Sequence, residues 1–191
     1  MWRPGFGFEA RVSGNAMGWV RRLWQRSEDH RGVPGAPGLV ATLVEKPGGK
    51  CAGVLYRVAG ADWDAAIDSL DQRERGGYLR ETLSVQITSH EGGVRDVLAV
   101  TYRADPAGPL YAGALSVEEI AATARDAVGP SGYNAEYVLR LAECLHELDV
   151  HDEHVFSVAN RVIDTEHDEA ELQAMKTPKA FRNGGGPRRR E

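Results

Sequence analysis

The 191-residue chain carries 28 acidic against 23 basic side chains, a net charge of −5 at neutral pH, with 42% apolar and 27% charged residues. That balance fits one globular domain with a real core and argues against nucleic acid as the main partner. Two cysteines without a CxxC exclude a disulfide framework, and no apolar run has membrane-spanning length. The expectation is a reduced, cytoplasmic protein with no membrane partner.

Residues 1–20 are rich in glycine and aromatics (Trp2, Phe6, Phe8, Trp19) and read as an irregular segment lying against the core. No signal-peptide run occurs in them. Val20–Gln25 reads as a short strand, followed by a loop through Gly38 whose prolines and glycines fix a defined path. Leu39–Val44 and Ala52–Val58 flank Pro47-Gly48-Gly49 and predict a hairpin.

Trp63, Ala66, Ile67 and Leu70 then draw one helical stripe, with Asp62 as expected cap. Glu74, at Trp63 plus eleven, returns to that face, whereas Asp71, Gln72, Arg73 and Arg75 fall off it. A carboxylate continuing an apolar face has a raised pKa as its expectation and suits general acid and base work. The same pattern also fits a last turn that frays and leaves Glu74 in water. Gly76-Gly77 stops the helix and Tyr78 opens a strand.

Leu83, Val85 and Ile87 alternate with polar residues, and after Gly92-Gly93 the run Val97–Tyr102 is the expected antiparallel partner. A second loop, Ala104–Gly113, carries Tyr111. Ser116 and Glu119 have the spacing of a capping box, opening a helix with Ile120, Ala121, Ala124 and Val128 inward. Asn134 is the expected cap of the next helix, with Tyr137, Val138, Leu141, Leu145 and Leu148 as its stripe. A third helix begins near Asp152, with Val155, Phe156, Ala159, Val162 and Ile163 inward. One domain over 1–165 and a polar, weakly ordered tail over 166–191 complete the reading.

This order predicts an α+β fold, a mostly antiparallel or mixed sheet or partly closed β-barrel flanked by helices. Walker, GxGxxG and GxSxG motifs are all missing from the sequence. His151 and His154 lack a third metal ligand at persuasive spacing, so a helix-capping cluster is the better reading and no metal is expected. Cys144 reads as a packing residue. The residues alone leave Glu74, the Trp24–Gly38 loop and the Tyr111 loop as site candidates.

Four stretches together resemble the ChaC family of γ-glutamylcyclotransferases. They are Arg21–Gln25 running into Asp29-His30-Arg31-Gly32-Val33-Pro34-Gly35-Ala36-Pro37-Gly38; Gly53–Val58; Arg73-Glu74-Arg75-Gly76-Gly77-Tyr78; and Gly129–Tyr137. Asp152-Glu153-His154 is similar to a late family motif. The resemblance implies a γ-glutamylcyclotransferase-like fold and cleavage of glutathione to 5-oxoproline and cysteinylglycine, without metal or cofactor. It also implies Glu74 as the acid and base. Candidate substrate-binding residues in the motifs and loops are Gln25, Asp29, His30, Arg31, Gly32, Tyr78 and Tyr111.

Two departures accompany the resemblance. The family's strand ending in Tyr-Gly-Ser-Leu precedes the segment matching Trp2–Phe6, and this sequence starts after it. The expectation is an unpaired sheet edge and a reduced substrate cradle, with a catalytically silent binding protein as the alternative. Leu39 stands where relatives usually carry Arg, which removes one possible charge contact.

Overall fold

The computed structural model describes residues 4–88 and 92–176, with side chains through Asp164. Two long strands, β1 (Ala10–Ser27) and β2 (Gly38–Arg57), form one antiparallel hairpin. A 3-10 turn at Gly60–Asp62 leads into α1 (Trp63–Arg73), which is followed by the hairpin of β3 (Tyr78–Thr88) and β4 (Val94–Ala104). The rest is helical: α2 (Val117–Asp126), a small ribbon of β5 (Val128–Gly129) and β6 (Gly132–Tyr133), α3 (Asn134–Glu147) and α4 (Glu153–Lys176). The main sheet has the order β2-β1-β3-β4 and is antiparallel throughout, so the α+β expectation holds while the barrel stays unclosed.

Two cores sit on this frame. The larger joins Leu23 and Leu39 to Ile120, Ala124, Val138, Leu141, Leu145, Val155, Val158 and Val162, packing α2, α3 and α4 against the hairpin's tip. The smaller gathers Ala16, Cys51, Leu83 and Val85 on one face of the sheet. The alternation at Leu83, Val85 and Ile87 places all three on the buried face, as a half-buried strand requires.

Several expectations are corrected. Residues 10–19 are strand, because pairing with β2 overrides a sequence without clear alternation. Pro47-Gly48-Gly49 is a bulge, with Gly48 at φ +73°. Lys50 pairs with Met17 and Glu45 with Trp19, so β2 absorbs the extra residues and continues. The predicted 39–44/52–58 hairpin therefore does not form.

Asp62 makes no side-chain cap, and Asn134 lies inside α3, where its carboxamide is spent on β2. Val128 leaves α2 for the β5 ribbon and is exposed, as are Trp63 and Ile163. The capping box at Ser116 and Glu119 forms in full. The segment 177–191 of the expected tail lies outside the described residues, and α4 runs on to Lys176.

β1 and β3 pair only over Gly14–Ala16, then part. Beyond that point β1's second edge is covered elsewhere: Arg26 N–H donates to Leu110 O and Ala112 N–H to Trp24 O, while Leu23 N–H donates to His154 Nε2. The edge expected to be unpaired is thus covered in part by these contacts.

Candidate active site

The site begins where α1 ends. Glu74 leaves helical geometry at φ −95° and ψ 15°, its N–H still donating to Leu70 O at 2.9 Å. Gly77 then takes φ +86°, a left-handed conformation that glycine adopts without strain. Gly77 O accepts from Asp105 N–H at 3.0 Å, fixing the turn to the end of β4. One turn earlier Asp71 accepts from Tyr102 Oη and Arg80, anchoring α1 to the β3–β4 hairpin. Burial first, and then the bond to Asp71, push the Tyr102 phenol up to about 12. Asp71 falls off the apolar stripe and stays partly exposed, while the phenol and guanidinium of the adjoining strands bind it.

The Glu74 side chain is only 11% exposed, so the frayed-turn alternative fails, although Trp63, from which its face is counted, is itself exposed. Arg73 Nε donates to Glu74 Oε1 at 3.1 Å, while Arg73 NH1 reaches Pro4 O. The neighbouring carboxylate, Asp29, is 59% exposed and accepts from Ser27 Oγ. Shielding from water therefore singles out Glu74 of the two.

Two phenols stand close enough to feel that charge. Tyr78 Oη donates to Ala41 O at 3.0 Å, and Ala41 N–H donates to Tyr137 Oη at 3.0 Å. Burial, reinforced by Tyr137, Glu74 and Asp29, lifts the Tyr78 phenol well above 10. Burial also lifts Tyr137, with Glu74 adding to it and the Ala41 bond, Arg21 and Arg31 opposing. Both rings stay neutral at physiological pH. They border Glu74 as hydroxyls, never as competing anions.

Of the candidate residues, Gln25, Asp29 and Tyr78 converge on the Glu74 turn. Gln25 is fully buried, and its Nε2 donates to Gly76 O at 2.8 Å. A Cβ at Gly76 would lie 3.6 Å from Asp29 Oδ2. Tyr111 forms an isolated bridge with Gln25, bringing its loop along the same edge.

The other three candidates are committed to the loop. Arg31, mostly buried, pairs with Glu136 at 3.1 Å, donates to Tyr133 O and lies over the Tyr137 ring. His30 Nδ1 contacts Ser131 Oγ at 3.1 Å on the surface. Gly32 packs so closely beneath Gly38 that a Cβ would meet its nitrogen at 2.1 Å.

Tyr137 and Asn134 escaped the sequence reading as site residues. Asn134 Oδ1 accepts from Leu39 N–H at 2.7 Å and Asn134 Nδ2 donates to Leu39 O at 2.8 Å. Leu39 itself is 3% exposed and part of the core, so its side chain serves packing. A tyrosine within an apolar stripe was the available signal, since a buried hydroxyl must find a partner. His154 lies against β1. It accepts from Leu23 N–H, while Asp152 caps α4 through Val155 N–H and pairs with Arg21 at 2.7 Å.

A solved yeast γ-glutamylcyclotransferase specific to glutathione shares this architecture, with a TM-score of 0.76 at 23% identity over 84% of this chain and 90% of its own. The class of fold is therefore that of the γ-glutamylcyclotransferases. The family model for ChaC-like proteins matches residues 1–165, and the chain belongs to that family. Among its relatives, the zebrafish glutathione-specific γ-glutamylcyclotransferase 1 is 37% identical, covering 86% of this chain and 85% of the relative. The human protein of the same name is 35% identical, over 85% and 74%.

Proposed function

We propose that the chain is a γ-glutamylcyclotransferase that cleaves glutathione to 5-oxoproline and cysteinylglycine, with Glu74 as acid and base. The observation that carries this reading is one largely buried carboxylate at the turn before Tyr78, with two neutral phenols near enough to feel its charge. The names of the zebrafish and human relatives supply the substrate.

The reaction balances with one shuttling group. Glutathione's α-ammonium gives a proton to Glu74, and the freed amine attacks its own γ-carbonyl carbon. The C–N bond to the cysteinyl nitrogen then breaks, and Glu74 returns the proton to that nitrogen. Over the cycle two protons pass from the α-nitrogen to the departing nitrogen, which leaves as an ammonium. No metal or cofactor is needed. Because attack is intramolecular, holding the γ-glutamyl arm folded accounts for much of the rate.

Within this reading Gln25, Asp29, Tyr78 and Tyr111 border the γ-glutamyl group, and the His30–Gly32 turn shapes the loop around it. No helix of the described residues is long and apolar enough to cross a membrane. The free thiols of Cys51 and Cys144 and the acidic net charge support a cytoplasmic protein that binds small molecules and not nucleic acid. The silent-binder alternative has no observation in its favour.

The test is release of 5-oxoproline from glutathione by the purified protein. Glu74→Gln should lower kcat by at least about a thousandfold while the melting temperature holds within a few degrees. Retention of wild-type turnover by Glu74→Gln would overturn the assignment.

A further inference from the structure

Among the described residues only two buried side-chain polar atoms lack a hydrogen-bond partner, Trp24 Nε1 and Gln25 Oε1. They point to different surroundings. Trp24 packs against the helical core beside His154. Gln25 is fully buried at the turn that carries Glu74: its Nε2 is fixed on Gly76 O at 2.8 Å and would lie 2.9 Å from a Cβ at Gly77. The carbonyl of Gly76 can only accept, so the amide nitrogen must face it and the amide oxygen must face away. An acceptor left unpaired and shielded from water costs about 1–3 kcal/mol unless something donates to it.

We infer that Gln25 Oε1 is the acceptor for the substrate's α-amine, orienting its nitrogen lone pair toward the γ-carbonyl carbon. This rests on the cyclotransferase reading above and names the group of the substrate that this residue holds. Glutathione offers two carboxylates, which only accept, so a lone acceptor cannot serve them. The α-nitrogen is a donor both before and after deprotonation, and it must reach Glu74 at the same turn.

The neutrality of Gln25 is part of the inference. A carboxylate at this place would stabilise the ammonium and oppose the proton loss that makes the nitrogen a nucleophile. An amide oxygen accepts an N–H of either protonation state and, carrying no net charge, favours the ammonium far less than a carboxylate does. The amine is thereby positioned without being held in its unreactive form. Gln25 also ties this position to the catalytic carboxylate, since the same amide group grips the peptide two residues past Glu74.

The experiment compares glutathione with glutaryl-cysteinylglycine, which lacks only the α-amine, by calorimetric titration in a Glu74→Gln background. Gln25→Met should weaken glutathione about tenfold and change the glutaryl analogue by less than about twofold. Equal weakening of both ligands would make Gln25 a merely structural support and overturn the inference. If Gln25→Met does not fold, Gln25→Glu with Glu74 intact replaces it. There the added carboxylate should move the acid limb of the kcat profile to higher pH, and an unmoved limb overturns the inference. Failure of the Glu74→Gln protein with Gln25 intact to bind either ligand would instead refute the cyclotransferase reading, and this inference with it.

Discussion

The rim of β2 and the turn after α1 meet at the site, yet they are held in opposite ways. Along Gly38–Thr42 side chains distant in sequence hold the strand in place. Asn134 binds both polar groups of Leu39, Tyr137 and Tyr78 divide those of Ala41, and Thr42 in turn uses its own Oγ1 to accept from the distant Ala104 N–H. The turn from Glu74 to Tyr78 relies on backbone bonds from within it and from Asp105, a glycine in left-handed geometry and one buried amide, Gln25. The rim is fixed by the whole fold, so its loss costs stability. The turn is fixed at a few points of its own backbone, so its loss costs alignment.

The largest expected effect on folding follows from Asn134. Asn134→Ala removes both bonds to Leu39 and leaves its N–H and C=O buried without partners, a loss of about 3 kcal/mol. For a chain of this size that is a fall in melting temperature of about 8 °C. Calorimetry should find it, with kcat at low temperature falling no more than a few fold. A stable Asn134→Ala protein that lost its activity would break the contrast between rim and turn.

Gly77→Ala is the counterpart. Its φ of +86° and the 2.9 Å approach of Gln25 Nε2 strain any Cβ, at about 1–2 kcal/mol. Because the strain falls on the peptide that orients Glu74, kcat should drop at least about tenfold, with a smaller thermal shift than in Asn134→Ala. Unchanged kcat beside a clear loss of stability would mean that the turn tolerates displacement.

The same contrast explains what the sequence made legible. The shielding of Glu74, the Ser116–Glu119 box and the β3 alternation all depend on neighbours within a turn or a strand, and each is present. Asn134 was misread as a helix cap because its real partner, Leu39, lies 95 residues away. Pro47-Gly48-Gly49 carries the local chemistry of a hairpin turn, but pairing with β1 on both sides converts it into a bulge. Arg73 is exposed, as its place off the stripe implies, but helical periodicity cannot foresee its bond to Pro4 or its ion pair with Glu74. The candidate acid and base was readable from local pattern; the scaffold that orients it was not.

The smallest effect lies behind the rim, where His154 joins β1 to α4. Its Nε2 accepts from Leu23 N–H at 3.1 Å, which requires an unprotonated nitrogen. Burial, with help from Arg22 and against the pull of Asp152, lowers its pKa from 6.5 to about 4. As pH falls below about 6.5 the unfolded chain therefore takes up the proton first. The contribution of His154 is whole above that pH and drains away on the approach to pH 4. Solvent screening of this partly exposed ring limits the loss to about 1 kcal/mol. The urea midpoint should decline over this window in the wild type. In His154→Gln, whose amide oxygen can accept from Leu23 without titrating, the decline should be shallower by that amount. Identical slopes would show that the ring titrates alike in both states, and the link between β1 and α4 would then be indifferent to protonation.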